Sequence, residues 1–252
     1  MNFHDLTTEA YAKLHTLFGA NDTHLALPFL GYEYPTSQTD FIYQWQEGDF
    51  TRELVNAFNQ YAYWLTRLVL WERVLKDYSD EDAEELRYEF TKLPLDHCLH
   101  FPYQFRSKLT FCATQLCYTK AIAAKLLSKA QIKADEQINL GTLVAVVQGW
   151  KSGPLLVEAL KAIDGEPFRQ STFNYRNKAQ HRHAQRLDYG HVANIVRSFP
   201  EGSLVSYSFG QSPPILAGDV LPVLVAEGEH LRAGFKAFRA LVDEHASAKS
   251  DA

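Results

Sequence analysis

Between Asp49 and Asp77 the apolar residues Leu54, Phe58, Tyr61, Leu65, Leu68, Trp71 and Leu75 step by three and four. That spacing lays one continuous apolar stripe along a long helix, which Asp49 is placed to cap. A strand has no use for it, because its side chains alternate faces every two residues. A stripe of this length must be covered by other helices, so the sequence points to an all-α fold.

The remaining segments agree. Residues 4–18 set Leu6, Tyr11, Leu14 and Leu17 on one helical face. Ser79-Asp80-Glu81-Asp82 reads as a helix start, a Ser cap followed by acids where the helix dipole favours them. The acids through Glu85 read as a solvated face, and Pro94 is expected to end that helix. Helical spacing resumes from Pro102 to about Lys129 (Leu109, Ala113, Leu116, Ile122, Leu126), from Asp135 to Gly149 (Ile138, Leu140, Leu143, Val147) and from Pro154 to Ile163. The stretch from about Phe168 to Tyr189 has no interior Pro or Gly and reads as an unbroken helix. A last helix spans about Asp219 to His245 (Leu221, Leu224, Leu231, Phe235, Phe238, Leu241), with Pro222 in its first turn, where proline is tolerated.

Two stretches break the pattern. Residues 19–37, with Gly19, Asn21, Pro28, Gly31 and Pro35, read as irregular. Residues 198–217 carry Pro200, Gly202, Gly210, Pro213 and Pro214, with polar and apolar residues alternating from Ser203 to Phe209. They read as a loop or a short hairpin. The expected architecture is a single all-α domain over 1–252. It is a bundle of about seven helices with a short irregular or hairpin insertion near 198–217.

A net charge of −5 argues against a broad nucleic-acid-binding face, though not against a small basic cleft. Three cysteines, Cys98, Cys112 and Cys117, cannot all pair within one chain, and their low density suits a reducing compartment. Met1 to Asp5 shows no leader pattern, and no apolar run approaches the roughly 18 residues that a membrane span needs. A cytoplasmic protein without membrane contact is expected.

Against the acidic trend, the eleven residues from Arg176 to Arg186 hold Arg176, Lys178, Arg182 and Arg186, with His181 and His183 among them and Asn177 as a neutral donor and acceptor. An arginine fork suits a phosphate, and a histidine can give or take a proton near neutral pH. Together they suffice to cleave RNA without a metal: a base assists attack by the ribose 2′-OH, and a cation steadies the charge that develops. On an ideal helix Asn177 and His181 share a stripe, whereas Arg176 and His181 stand about 140° apart. Their convergence requires a bent helix, a curling arginine, or two copies meeting across an interface.

Other candidates are poorer. His97-Cys98-Leu99-His100 with Cys112 and Cys117 offers zinc-type ligands at a spacing that fits no common finger. Glu47, Asp49, Glu53 and Glu72 lie on or near the long helix, with Asp49 and Glu53 four apart, but no ExxH pair accompanies them. No Gly-x-Ser-x-Gly elbow or Gly-rich phosphate loop is present. No metal and no cofactor is expected.

Arg176-Asn177-Lys178-Ala179-Gln180-His181 resembles the Arg-x4–6-His signature of the HEPN superfamily, whose first variable position is commonly Asn. That family is all-α and carries the signature late in the domain, on a helix. The resemblance implies a HEPN-like core over about 40–245. It also implies a metal-independent endoribonuclease that acts as a homodimer with a composite cleft, often as a toxin or in phage defence. RNA is then the substrate and an antitoxin protein a further partner. Arg176, Asn177 and His181 are the implied catalytic residues, with Lys178, Arg182, His183 and Arg186 guiding the RNA backbone. The alternative is a non-catalytic helical module, on a degenerate fold of that kind, that binds a nucleotide, RNA or protein. A scaffold using its aromatic-rich helices is a third reading.

Overall fold

The computed structural model describes residues 2–19, 25–32, 41–125, 132–181, 185–198 and 205–248, with only the backbone of 192–194, 196 and 198. Among these lie α1 (Phe3–Gly19), α2 (Phe41–Val74), α3 (Asp80–Phe90), α4 (Lys92–Ala123), α5 (Leu140–Val147), α6 (Gly153–Ala162), α7 (Glu166–Ser171), α8 (Tyr175–His181), strands β1 (Val192–Ser198) and β2 (Ser206–Ser212), and α9 (Ala217–Ser247). The fold is all-α, with one antiparallel strand pair. No described helix is long and apolar enough to cross a membrane.

The stripe on α2 behaves as its spacing requires: Leu54, Phe58, Tyr61, Leu65, Leu68, Trp71 and Leu75 are all buried, Leu75 in a 3-10 turn that continues the helix. Asp49 is not its cap. The chain is already helical from Phe41, with Tyr43 and Glu47 buried upstream of Leu54, so Asp49 sits mid-helix, paired with Arg52. Ser79 does cap α3, its hydroxyl accepting from the Asp82 N–H at 3.2 Å.

Pro94 does not end α3, which stops at Phe90, where the Thr91 N–H and hydroxyl both turn back to the Arg87 carbonyl. Pro94 instead lies in the first turn of α4, where a missing N–H costs nothing. Nor does α4 begin at Pro102; it runs straight through it. An internal proline costs about 3 kcal/mol. Each fully buried apolar side chain returns about 1.5–3 kcal/mol, and Leu95, Cys98, Leu99, Phe101, Phe105 and Leu109 are buried on either side. Asp135 to Gly149 is a short 3-10 turn followed by α5. Asn139 separates the two by accepting from the Thr142 N–H at 3.1 Å. Pro222 falls at the sixth residue of α9, deeper than expected. Residues 25–32 carry no regular structure; Asn21, Pro35, Leu126, Pro200 and Gly202 lie outside the described residues.

The chain divides into two compact units woven from alternating segments. One comprises Met1–Ala26, Trp64–His100 and Pro167–Val225; the other Leu27–Tyr63, Phe101–Glu166 and Ala226–Ala252. In the first, Leu6, Leu14, Leu70, Leu75 and Leu86 surround Trp71, which stacks on Phe90 with ring centres 4.4 Å apart. In the second, Tyr61, Phe101 and Phe105 form a stacked aromatic run, and Gly228 on α9 leaves the space that Leu27 occupies.

Candidate functional site

The segment expected as one helix from Phe168 to Tyr189 is interrupted. α7 stops at Ser171 and α8 starts at Tyr175. Between them Phe173 and Asn174 hold φ of 55° and 54°. Left-handed backbone costs a residue with a β-carbon about 1–2 kcal/mol, least for Asn. Hydrogen bonds offset it: the Asn174 N–H donates to the Arg169 carbonyl at 2.6 Å, and the Thr172 hydroxyl to the Phe168 carbonyl at 2.8 Å. This helix thus ends in turn hydrogen bonds, with neither Gly nor Pro to announce the break.

α8 carries Arg176, Asn177, Lys178 and His181. Arg182 and His183 lie outside the described residues, and Arg186 follows, exposed and non-helical. Asn177 and His181 are exposed and share a stripe; Arg176 and Lys178 are half-buried. The helix therefore groups Asn177 with His181, and Arg176 points about 140° away from His181.

What fixes α8 is a polar cluster that spacing could not reveal. Tyr175 is buried, and its hydroxyl donates to Asp96 Oδ1 on α4 at 2.7 Å. Burial, then the neighbouring carboxylate, push the phenol well above its ordinary range. His100 meets the Tyr175 ring edge-on at 5.5 Å, its Nδ1 lying 3.0 Å from the Asp96 carbonyl and 3.5 Å from the carboxylate. The Asp96–His100 pair is visible in sequence as an i,i+4 match, but its union with Tyr175 is not. Tyr175→Phe is expected to lower stability by about 1 kcal/mol, read as a shift in urea midpoint.

Beyond α8 the chain is fastened by Asp188, a residue the sequence reading passed over. Its neighbours pair across a bridge: the Ile215 N–H donates to the Arg186 carbonyl at 2.8 Å and the Asp188 N–H to the Ile215 carbonyl at 2.9 Å. The buried Asp188 carboxyl accepts from the Ala217 N–H at 2.9 Å, so it caps α9 from 29 residues away, and its other oxygen meets the Thr91 hydroxyl. Thr91 has one proton and two acceptors, since the Arg87 carbonyl also lies 2.9 Å from its hydroxyl. A proton on Asp188 Oδ2 satisfies all of them, and burial pushes this carboxyl upward.

A group whose folded pKa is raised loses stability as pH climbs through that pKa, so the ionised carboxylate is the costly form at neutral pH. Asp188→Asn reproduces the protonated acid and is expected to match or exceed the parent in urea unfolding at pH 7. Asp188→Ala strands the α9 cap and Thr91 and is expected to cost about 2–4 kcal/mol.

The other candidates resolve into structure. Asp49 pairs with Arg52, Glu53 with Lys108, and buried Glu47 with Arg239 at 3.4 Å, so Asp49 and Glu53 form no acid pair. Glu72 is half-buried with its carboxyl pushed up by burial, and Oε1 has no hydrogen bond. Cys98, Cys112 and Cys117 are buried free thiols, and no cluster of three or more metal-type ligands occurs among the described residues. Cys117 Sγ lies 3.8 Å from His245 Nε2, but burial pushes that thiol up to about 12 and holds the imidazole down to about 4. Such a pair stays neutral and offers no thiolate nucleophile. No family model, curated protein or solved structure matches the chain.

Proposed function

We propose that the chain is a metal-independent endoribonuclease of the HEPN type, with α8 as its site. The carrying observation is the exposed stripe of Asn177 and His181 on a helix that also bears Arg176. A proton-transfer group, an amide and a cation thus lie within about one and a half helical turns. His181 takes the proton from a ribose 2′-OH as that oxygen attacks the adjacent phosphorus. Arg176 and Asn177 meet the phosphate oxygens while charge builds on them. The bond to the 5′ oxygen breaks, that oxygen leaves with a proton, and a 2′,3′-cyclic phosphate remains.

The angle between Arg176 and His181 favours a homodimer, in which a two-fold axis sets the arginine of one copy against the histidine of the other. Lys178, Arg182, His183 and Arg186 then guide the RNA backbone. An antitoxin that covers the cleft, and cytoplasmic work as a toxin or in phage defence, belong to the same reading. The test is incubation of the purified full chain with single-stranded RNA in EDTA. Cleavage with cyclic phosphate ends is expected, and full cleavage by both Arg176→Ala and His181→Ala sinks the assignment.

The half-burial of Arg176 favours a second reading, a non-catalytic RNA-binding module. Its signature is RNA binding that weakens with salt, without strand scission.

A further inference from the structure

We propose that the β1–β2 pair is a stacking platform for single-stranded RNA; the inference rests on the reading of α8 as an RNA site and adds the surface that holds the strand. The register sets Ile195 opposite Phe209 and Arg197 opposite Tyr207. Opposed and alternate residues share a face, so these four form one side, while Ser206, Ser208, Gly210 and Ser212 form the other side of β2. Alternation of this kind ordinarily buries its apolar side. Here that side faces solvent: Ile195 is 65%, Tyr207 55% and Phe209 79% exposed. An apolar face left open on a folded chain marks a binding surface.

Its chemistry selects the occupant. The Arg197 guanidinium lies over the Tyr207 ring at 5.8 Å, so a cation sits among the rings. Rings interleaved with arginine take unpaired bases by stacking and the phosphates between them by charge. Duplex bases are already stacked on each other, so a single strand is the form that fits. Neither strand carries an acid, and residues 175–216 hold five Lys or Arg against two Asp or Glu in a chain of net charge −5. The base of the pair is also tied to the segment leaving α8: the Gln185 side-chain amide donates to the Pro213 carbonyl at 3.1 Å, and Ile215 bonds Arg186. A strand lying on the platform therefore leads toward Arg186.

The experiment is fluorescence anisotropy with a labelled uridine oligomer of about 12 nucleotides, enough to span such a surface. It uses the full chain carrying His181→Ala, so that the probe stays intact. Adding Tyr207→Ala and Phe209→Ala is expected to raise Kd on the order of tenfold or more, with unchanged thermal melting because both rings are already exposed. An unchanged Kd overturns the platform, whether or not the parent cleaves RNA. Ring-dependent binding without any cleavage by the parent supports the platform and removes only the nuclease reading. Absence of RNA binding by the parent overturns it, as does a ring-dependent loss of dimer in sedimentation with no effect on RNA binding.

Discussion

His181→Ala is expected to slow RNA cleavage by about 10²–10⁴-fold, the usual worth of a positioned proton-transfer group. The folded state should be unaffected, because His181 is exposed at the last residue of α8. Arg176→Ala is expected to slow cleavage by about 10²–10³-fold through loss of charge stabilisation. It also removes a half-buried side chain, so its melting must be measured beside its rate. Arg176→Lys keeps the charge without the fork and should fall between the two. Mixing the two inactive alanine variants distinguishes the arrangement of the cleft. If each cleft takes its arginine from one copy and its histidine from the other, mixed dimers regain one intact cleft and activity returns. If both come from the same helix, the mixture stays inactive.

Acid is expected to destabilise the protein through His245, by about 3 kcal/mol between pH 7 and pH 4. His245 is 0% exposed; its Nδ1 is hydrogen-bonded to the Tyr43 hydroxyl at 2.8 Å, and the Trp150 ring centre lies 4.1 Å away. Burial holds the folded imidazole down to about 4, Lys120 adding to the effect and Glu244 opposing it, whereas the unfolded chain titrates near 6.5. In that window the unfolded chain binds the extra proton, so stability present above 6.5 is lost as pH falls toward 4. The measurement is the difference in urea stability between the parent and His245→Gln. Asp188, Glu72 and Glu227, whose carboxyls are pushed up, act in the opposite sense and cancel in that difference. A difference that stays constant from pH 7 to 4 removes His245 as the cause.

The stripe of α2 and the Ser79 cap were legible because their causes lie within a few residues: periodicity and one local hydrogen bond. The same local logic failed at Pro94 and Pro102, since burial along α4 outweighs what a proline costs. It failed again at Phe173 and Asn174, where the break is written in turn hydrogen bonds. Of the candidate site, the identity of Asn177 and His181 and their shared stripe were readable. The anchor at Asp96 and the clamp at Asp188 were not, because their partners lie 79 and 29 residues away. The alternation near Phe209 was readable too, yet whether its apolar side is covered depends on what packs above it.

By itself, then, the sequence determined the helical class, most helix centres and the chemistry concentrated after Phe173. Only the tertiary structure decided that α2 is already helical ahead of Asp49, where α4 begins, where the helix carrying Arg176 breaks, and that the aromatic side of the strand pair stands open. The reason is range. Periodicity and local caps act within a turn or two, whereas burial and distant hydrogen bonds act only once remote segments have met.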